Sequence, residues 1–113
     1  RVLLAMGPAE ALDAWLERQQ ARHGLRPLTP RTLTQPDALR QELARVRNLG
    51  YALVDQEMEL GLRTLAVPLR NHRGEVVAAL NVSAIAARVS LETLRERFLP
   101  ILLDAQQRLR PLL

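Results

Sequence analysis

The sequence predicts an α+β domain, an antiparallel sheet flanked by helices. Two stretches with apolar residues at helical spacing come first, three short strand-like stretches follow, and a last helical stretch ends the chain. Only Arg70-Asn71-His72-Arg73-Gly74 separates the second and third strand-like stretches, which makes them a hairpin. At 113 residues, 48% hydrophobic and 25% charged, the chain has the size and balance of one packed domain.

Each element has its own signal. Gly7-Pro8 breaks the opening apolar segment, and Pro8 suits the first turn of a helix. Ala11, Leu12, Trp15 and Leu16 then share one face of a helix from Ala9 to about Arg22, which Gly24 stops. Leu25 to Thr34 reads as a loop with one short edge strand around Arg31 to Leu33. Thr34 is the expected N-cap of a second helix, with Pro36 and Asp37 in its first turn. Leu39, Leu43 and Val46 give its buried stripe, and Gly50 closes it. Tyr51–Asp55, Leu62–Leu69 and Glu75–Ser83 are the expected strands, with a polar bend between the first two. The third carries Val76, Ala78, Leu80 and Val82 on one face and Val77 and Ala79 on the other. A strand apolar on both faces is expected to be central and covered on both sides. Ser90 caps a last helix whose buried stripe is Leu91, Leu94, Phe98, Leu102 and Leu103, and Pro100 should kink or split it. Three strands make a thin sheet, so further strands are expected upstream of Arg1.

Composition narrows the function classes. With only 3% aromatic residues the core must be aliphatic. The absence of cysteine excludes disulfides and thiolate metal sites and fits the cytoplasm as the expected location. No apolar run approaches the roughly 20 residues that span a bilayer, so no membrane partner is expected. The net charge of +4 comes from arginines dispersed among Glu and Gln, without interleaved aromatics. That pattern speaks against nucleic-acid binding by these residues themselves.

The sequence carries no standard catalytic or phosphate-binding motif, and no enzymatic activity or cofactor is expected. His23 and His72 fall at a helix end and in a turn, with no second His at metal spacing. Asp55, Glu57 and Glu59 form an acidic group that reads as a solvated loop or an ion pair to Arg63. A different cluster is more informative. Asn81 and Ser83 lie two apart, so they share one face of the third strand, and counting back from the turn sets Thr64 opposite Asn81. Polar groups converging on an apolar floor can line a small-molecule pocket, or they can simply cap a strand end.

The stretch Arg47 to Pro68, with Gly50-Tyr51 and Gly61-Leu62-Arg63-Thr64 inside it, continues in Gly74 and in Ala78-Ala79-Leu80-Asn81-Val82-Ser83. It closely resembles the signature of IclR-type bacterial transcription regulators. The wording, with the final Phe98-Leu99-Pro100-Ile101-Leu102, is similar to the subgroup controlling β-ketoadipate-pathway genes, which break down protocatechuate, 4-hydroxybenzoate and related aromatic acids. Arg1-Val2-Leu3-Leu4-Ala5 is similar to a helix of the same family. The resemblance implies that residues 1–113 are the C-terminal part of a GAF-like effector-binding domain, truncated at its N-terminal side. Operator DNA would be read only by an absent N-terminal winged helix-turn-helix. It implies a homodimer or tetramer, a small-molecule effector, and pocket positions at Val54, Thr64, Asn81 and Ser83. Val54 is apolar where some members carry Asp, and Asn81 replaces a serine, which implies a different ligand. The expected function is therefore ligand sensing and oligomerisation. The alternative is a pure dimerisation module without a ligand pocket, in which Trp15, Leu39, Leu43 and Phe98 matter more than Asn81.

Overall fold

The computed structural model describes residues 1–113. Three helices precede the sheet: α1 (Val2–Met6), α2 (Ala9–Arg22) and α3 (Pro36–Leu49). The strands are β1 (Ala52–Asp55), β2 (Leu62–Arg70) and β3 (Val76–Ile85), antiparallel throughout and in the order β1-β2-β3. A helical turn α4 (Leu91–Thr93), a π-turn (Leu94–Phe98) and α5 (Leu99–Leu109) complete the chain, with a 3₁₀ turn at Arg110–Leu112. The α+β class with an antiparallel sheet and flanking helices is as expected. No helix is long and apolar enough to cross a membrane.

Local chemistry sets the helix ends. Pro8 is the N-cap of α2 rather than its first residue, and Gly24 follows the helix with φ 68°. Leu16 is buried on the inner face of α2, while Ala11, expected beside it, is exposed. The cap of α3 falls on Gln35, one residue later than the expected Thr34. Pro36 takes the first helical position and drives the residue before it into extended geometry, φ −98° and ψ 127°. Leu39, Leu43 and Val46 are the buried stripe, and Gly50 ends the helix at φ 82° with its N–H on the Val46 carbonyl at 2.8 Å.

The expected edge strand at Arg31 to Leu33 does not form. Threonine side chains take up the backbone groups that a ladder would use: Thr29 Oγ1 accepts from Arg31 N at 3.0 Å, and Thr29 N donates to Thr32 Oγ1 at 2.9 Å. Thr29, which is buried, then donates to the Gln56 carbonyl at 2.7 Å, and Thr32 donates to the Glu57 carbonyl. The loop is thus pinned to the bend after β1.

The central strand is β2, not β3. Leu65 and Val67 on β2 have no solvent exposure, whereas β3 alternates half-buried and exposed residues and lies at the sheet edge. The apolar double face of β3 is therefore only half used, and Val77 and Ile85 face solvent. Pro68 sits in the central strand without a lost ladder bond to β1, because β1 pairs only as far as Ala66. The hairpin turn is closed by Asn71, whose Oδ1 accepts from the N–H groups of Arg73 (2.9 Å) and Glu75 (3.0 Å).

Helices cover both sheet faces. Val2, Ala5, Leu16, Leu39, Leu43, Val46 and Ala52 form one core cluster between the first three helices and the sheet. On the other face α5 packs over β2 and β3, and Gln106 donates to the Pro68 carbonyl at 2.6 Å. Ser90 Oγ accepts from Thr93 N at 3.1 Å, as a cap should. The split at Pro100 also forms. Proline has no N–H for the preceding turn, and the backbone widens so that Leu99 N bonds the Leu94 carbonyl. Leu94 is fully buried, but Leu103, expected in the same stripe, is exposed.

Candidate functional site

The strand pairing decides which side chains meet. Val54 of β1 faces Thr64 of β2, and Thr64 faces Ser83 of β3; one step along, Ala66 faces Asn81. Thr64 is thus opposite Ser83 rather than Asn81. The turn spans Asn71–Glu75, one residue further along than the sequence count assumed, and a bulge at Leu69/Arg70 shifts the register again. A two-residue offset keeps the same face, so Thr64, Asn81 and Ser83 still point together. Thr64 Oγ1 and Ser83 Oγ are hydrogen-bonded at 3.1 Å.

Over this face lies a cleft of about 250 Å³. Its floor is Ala52, Val54, Thr64, Ala66, Ala79 and Asn81 of the sheet; Arg1, which precedes α1, and Val2 and Leu3 of α1 bound it, with Met58 and Leu62 at the side. Eight of the eleven lining residues are hydrophobic, so the few polar groups would decide how a ligand is oriented. Val54, Thr64 and Asn81 line this cleft. Ser83 does not; it holds the Thr64 hydroxyl from outside.

Sequence reasoning missed Arg1 as a lining residue. It is the single charged residue of the cleft. Its guanidinium makes a two-pronged ion pair with Glu57, Nη1 donating to Oε2 at 2.8 Å and Nη2 to Oε1, and both side chains are only 14% exposed. The pair joins residues 56 positions apart, and no local pattern announces it. Beyond Arg1, Val54 and Met58 lies a second apolar cleft of about 370 Å³, bounded by Trp15, Leu28, Leu33, Leu39 and Leu43, with Glu57 and Thr32 on its polar side.

The acidic group is engaged in structure. Asp55 Oδ1 accepts from Arg63 Nε at 2.8 Å and Oδ2 from Arg31 Nη1 at 2.7 Å, and Gln56 Nε2 adds a third bond at 3.2 Å. The hydrogen bond from Arg63 is the largest influence and, with Gln56 and the charge of Arg31, holds the Asp55 carboxyl below the usual carboxylate range against the opposing pull of desolvation. An ionised, saturated carboxylate is a poor proton donor at neutral pH. Arg63 also donates to the carbonyls of Ala86 (3.2 Å) and Val89 (2.9 Å), tying the segment after β3 to the rest of the sheet. His23 and His72 are exposed, and no cluster of three His, Cys, Asp or Glu could hold a metal.

The chain has close relatives. It is 44% identical over 107 residues to the Pca regulon regulatory protein of Pseudomonas putida, covering 95% of this chain and 35% of that protein. It is 37% identical over 112 residues to the p-hydroxybenzoate hydroxylase transcriptional activator of Acinetobacter baylyi, covering 99% and 40%. The chain thus spans well under half the length of these relatives. Among solved structures, it matches the crystal structure of a double mutant of the PobR inducer-binding domain from Acinetobacter in complex with 3-hydroxybenzoic acid. The TM-score is 0.91 at 36% identity, covering 99% of this chain and 62% of that one. The model of the C-terminal domain of bacterial IclR transcriptional regulators matches residues 1–110. This chain belongs to the IclR family of transcription regulators, within its C-terminal effector-binding domain.

Proposed function

We propose that this chain senses a small aromatic carboxylate and passes that signal to the DNA affinity of a regulator. The observation that carries the reading is the apolar cleft of about 250 Å³ floored by Val54, Thr64 and Asn81. A cavity of roughly 150 Å³ accommodates a benzene ring, which leaves room here for one ring with polar substituents. Thr64 and Asn81 offer donors and acceptors to ring hydroxyls, and Ser83 orients the Thr64 hydroxyl. The likeness to an inducer-binding domain holding 3-hydroxybenzoic acid supports the same ligand class. In the longer protein, a separate winged helix-turn-helix reads the operator. The effector acts by binding one of two domain arrangements more tightly, since a ligand without such a preference shifts nothing.

Calorimetric titration with protocatechuate, 4-hydroxybenzoate and β-ketoadipate tests this reading. An aromatic acid should bind, and a Thr64→Val/Ser83→Ala variant should bind it about tenfold more weakly, the worth of a hydrogen bond or two. Silence with all three, or an unchanged affinity in the variant, contradicts the proposal.

A second reading, self-association, has its own support. Val77 and Ile85 on β3 and Ile101 and Leu112 at the C-terminal end are all more than half exposed. A homodimer or tetramer would cover such surface. Pairing of domains and effector binding are compatible, and the cleft beside Thr64 favours a module that does more than dimerise.

A further inference from the structure

We infer that Glu57 is an internal competitor for the effector's carboxylate, and that binding is an exchange of carboxylates at Arg1. The inference rests on the effector class proposed above. An aromatic acid entering the cleft brings a negative charge onto a floor of alanines and Val54. Leaving that charge unpaired there is unfavourable, so it needs a cation, and the Arg1 guanidinium is the one cationic side chain the lining holds. Both terminal nitrogens of Arg1 are already taken by Glu57. Glu57 approaches from the neighbouring cleft and does not line the first. Two carboxylates crowded on one half-buried guanidinium repel each other, so the incoming acid gains its full partner only when Glu57 leaves.

Departure of Glu57 has a structural consequence. The carbonyls of Gln56 and Glu57 are the points that hold the loop through Thr29 and Thr32. Gln56 is also held at φ 60°, a backbone conformation that non-glycine residues rarely adopt, beside Gly61, whose N–H it caps at 3.0 Å. Releasing the Glu57 side chain removes the anchor of this bend from the cleft side. The exchange thereby lowers the affinity for anions relative to neutral arenes, while Arg1 still supplies the anion's partner, and it couples occupancy to the loop.

The test titrates the 113-residue chain with 3-hydroxybenzoate and with neutral 3-hydroxybenzyl alcohol. Glu57→Gln should bind the benzoate about tenfold more tightly and the alcohol as before, because the competing charge is gone. Arg1→Met should lose most of the benzoate affinity and keep that for the alcohol. In the unmodified chain, 3-hydroxybenzoate should speed amide hydrogen exchange at Gln56–Glu59 and Thr32, a readout that needs no variant to fold. Benzoate binding that is no tighter in Glu57→Gln, or unaccelerated exchange at the bend on binding, overturns the exchange and leaves the effector class standing. If 3-hydroxybenzoate, protocatechuate and 4-hydroxybenzoate all fail to bind both the unmodified chain and Glu57→Gln, the effector class itself falls.

Discussion

Asp55 receives bonds from Arg63, Arg31 and Gln56, and that convergence gives the molecule a pH signature. Its carboxyl pKa is lowered in the folded chain relative to an unfolded value of about 3.9. The group therefore stabilises the fold fully above the unfolded value, and the contribution is lost as pH falls from about 4 through the lowered folded value. Urea midpoints between pH 6 and pH 2 should show this loss in the unmodified chain. Asp55→Asn should be less stable at pH 6 and should have a shallower acid slope; equal slopes would show that Asp55 does not titrate in this way. At this scale the sequence was partly legible. The Asp55–Arg63 pair could be expected because the two lie close along a hairpin-like path, and the alternation of β3 placed Asn81 and Ser83 on one face. Arg1 and Glu57 meet only through the packing of α1 on the sheet, which no spacing along the chain encodes.

Elements show the same division between local and distant causes. The termination of α3 at Gly50 is readable because φ 82° suits glycine and little else. A Cβ built there meets nothing within 4 Å, so substitution meets backbone strain alone. Gly50→Ala should destabilise by about 1–2 kcal/mol, and Gly50→Asn by less, with an unchanged urea m-value. A larger loss would mean that the surroundings of Gly50 are tighter than the fold implies. The place of β3 in the sheet was not readable. Apolar residues on both faces state a wish for cover, but strand order depends on which partners are present to supply it. The loop at Arg31–Leu33 misled for a local reason: threonines favour strands, and they equally satisfy backbone groups in a turn.

The whole molecule is flat, with principal extents of 39 × 37 × 20 Å, and only 13 of 113 residues are buried. Little core means that ligand and partner weigh heavily in its stability. An aromatic acid at about 100 times its Kd should add ~2.7 kcal/mol, a Tm rise on the order of 10 °C for a domain of this size. Differential scanning fluorimetry reads that directly. If self-association contributes, Tm should also climb with protein concentration in the absence of ligand. A flat response to both would leave the exposed apolar surface without a stabilising use.

The bulge between the hairpin turn and the cleft has one further consequence. Arg70 pairs with Val76 and Leu69 with Ala78, so Val77 is the residue that β3 holds in excess. That excess is one residue of slack placed before the chain reaches Asn81. A single deletion between Val76 and Leu80 can be absorbed by straightening the strand, with Ala66–Asn81 and Thr64–Ser83 still paired and the polar face still turned to the cleft. A second deletion finds no slack left, and Val82 and Ala84 then take the places of Asn81 and Ser83 opposite Ala66 and Thr64.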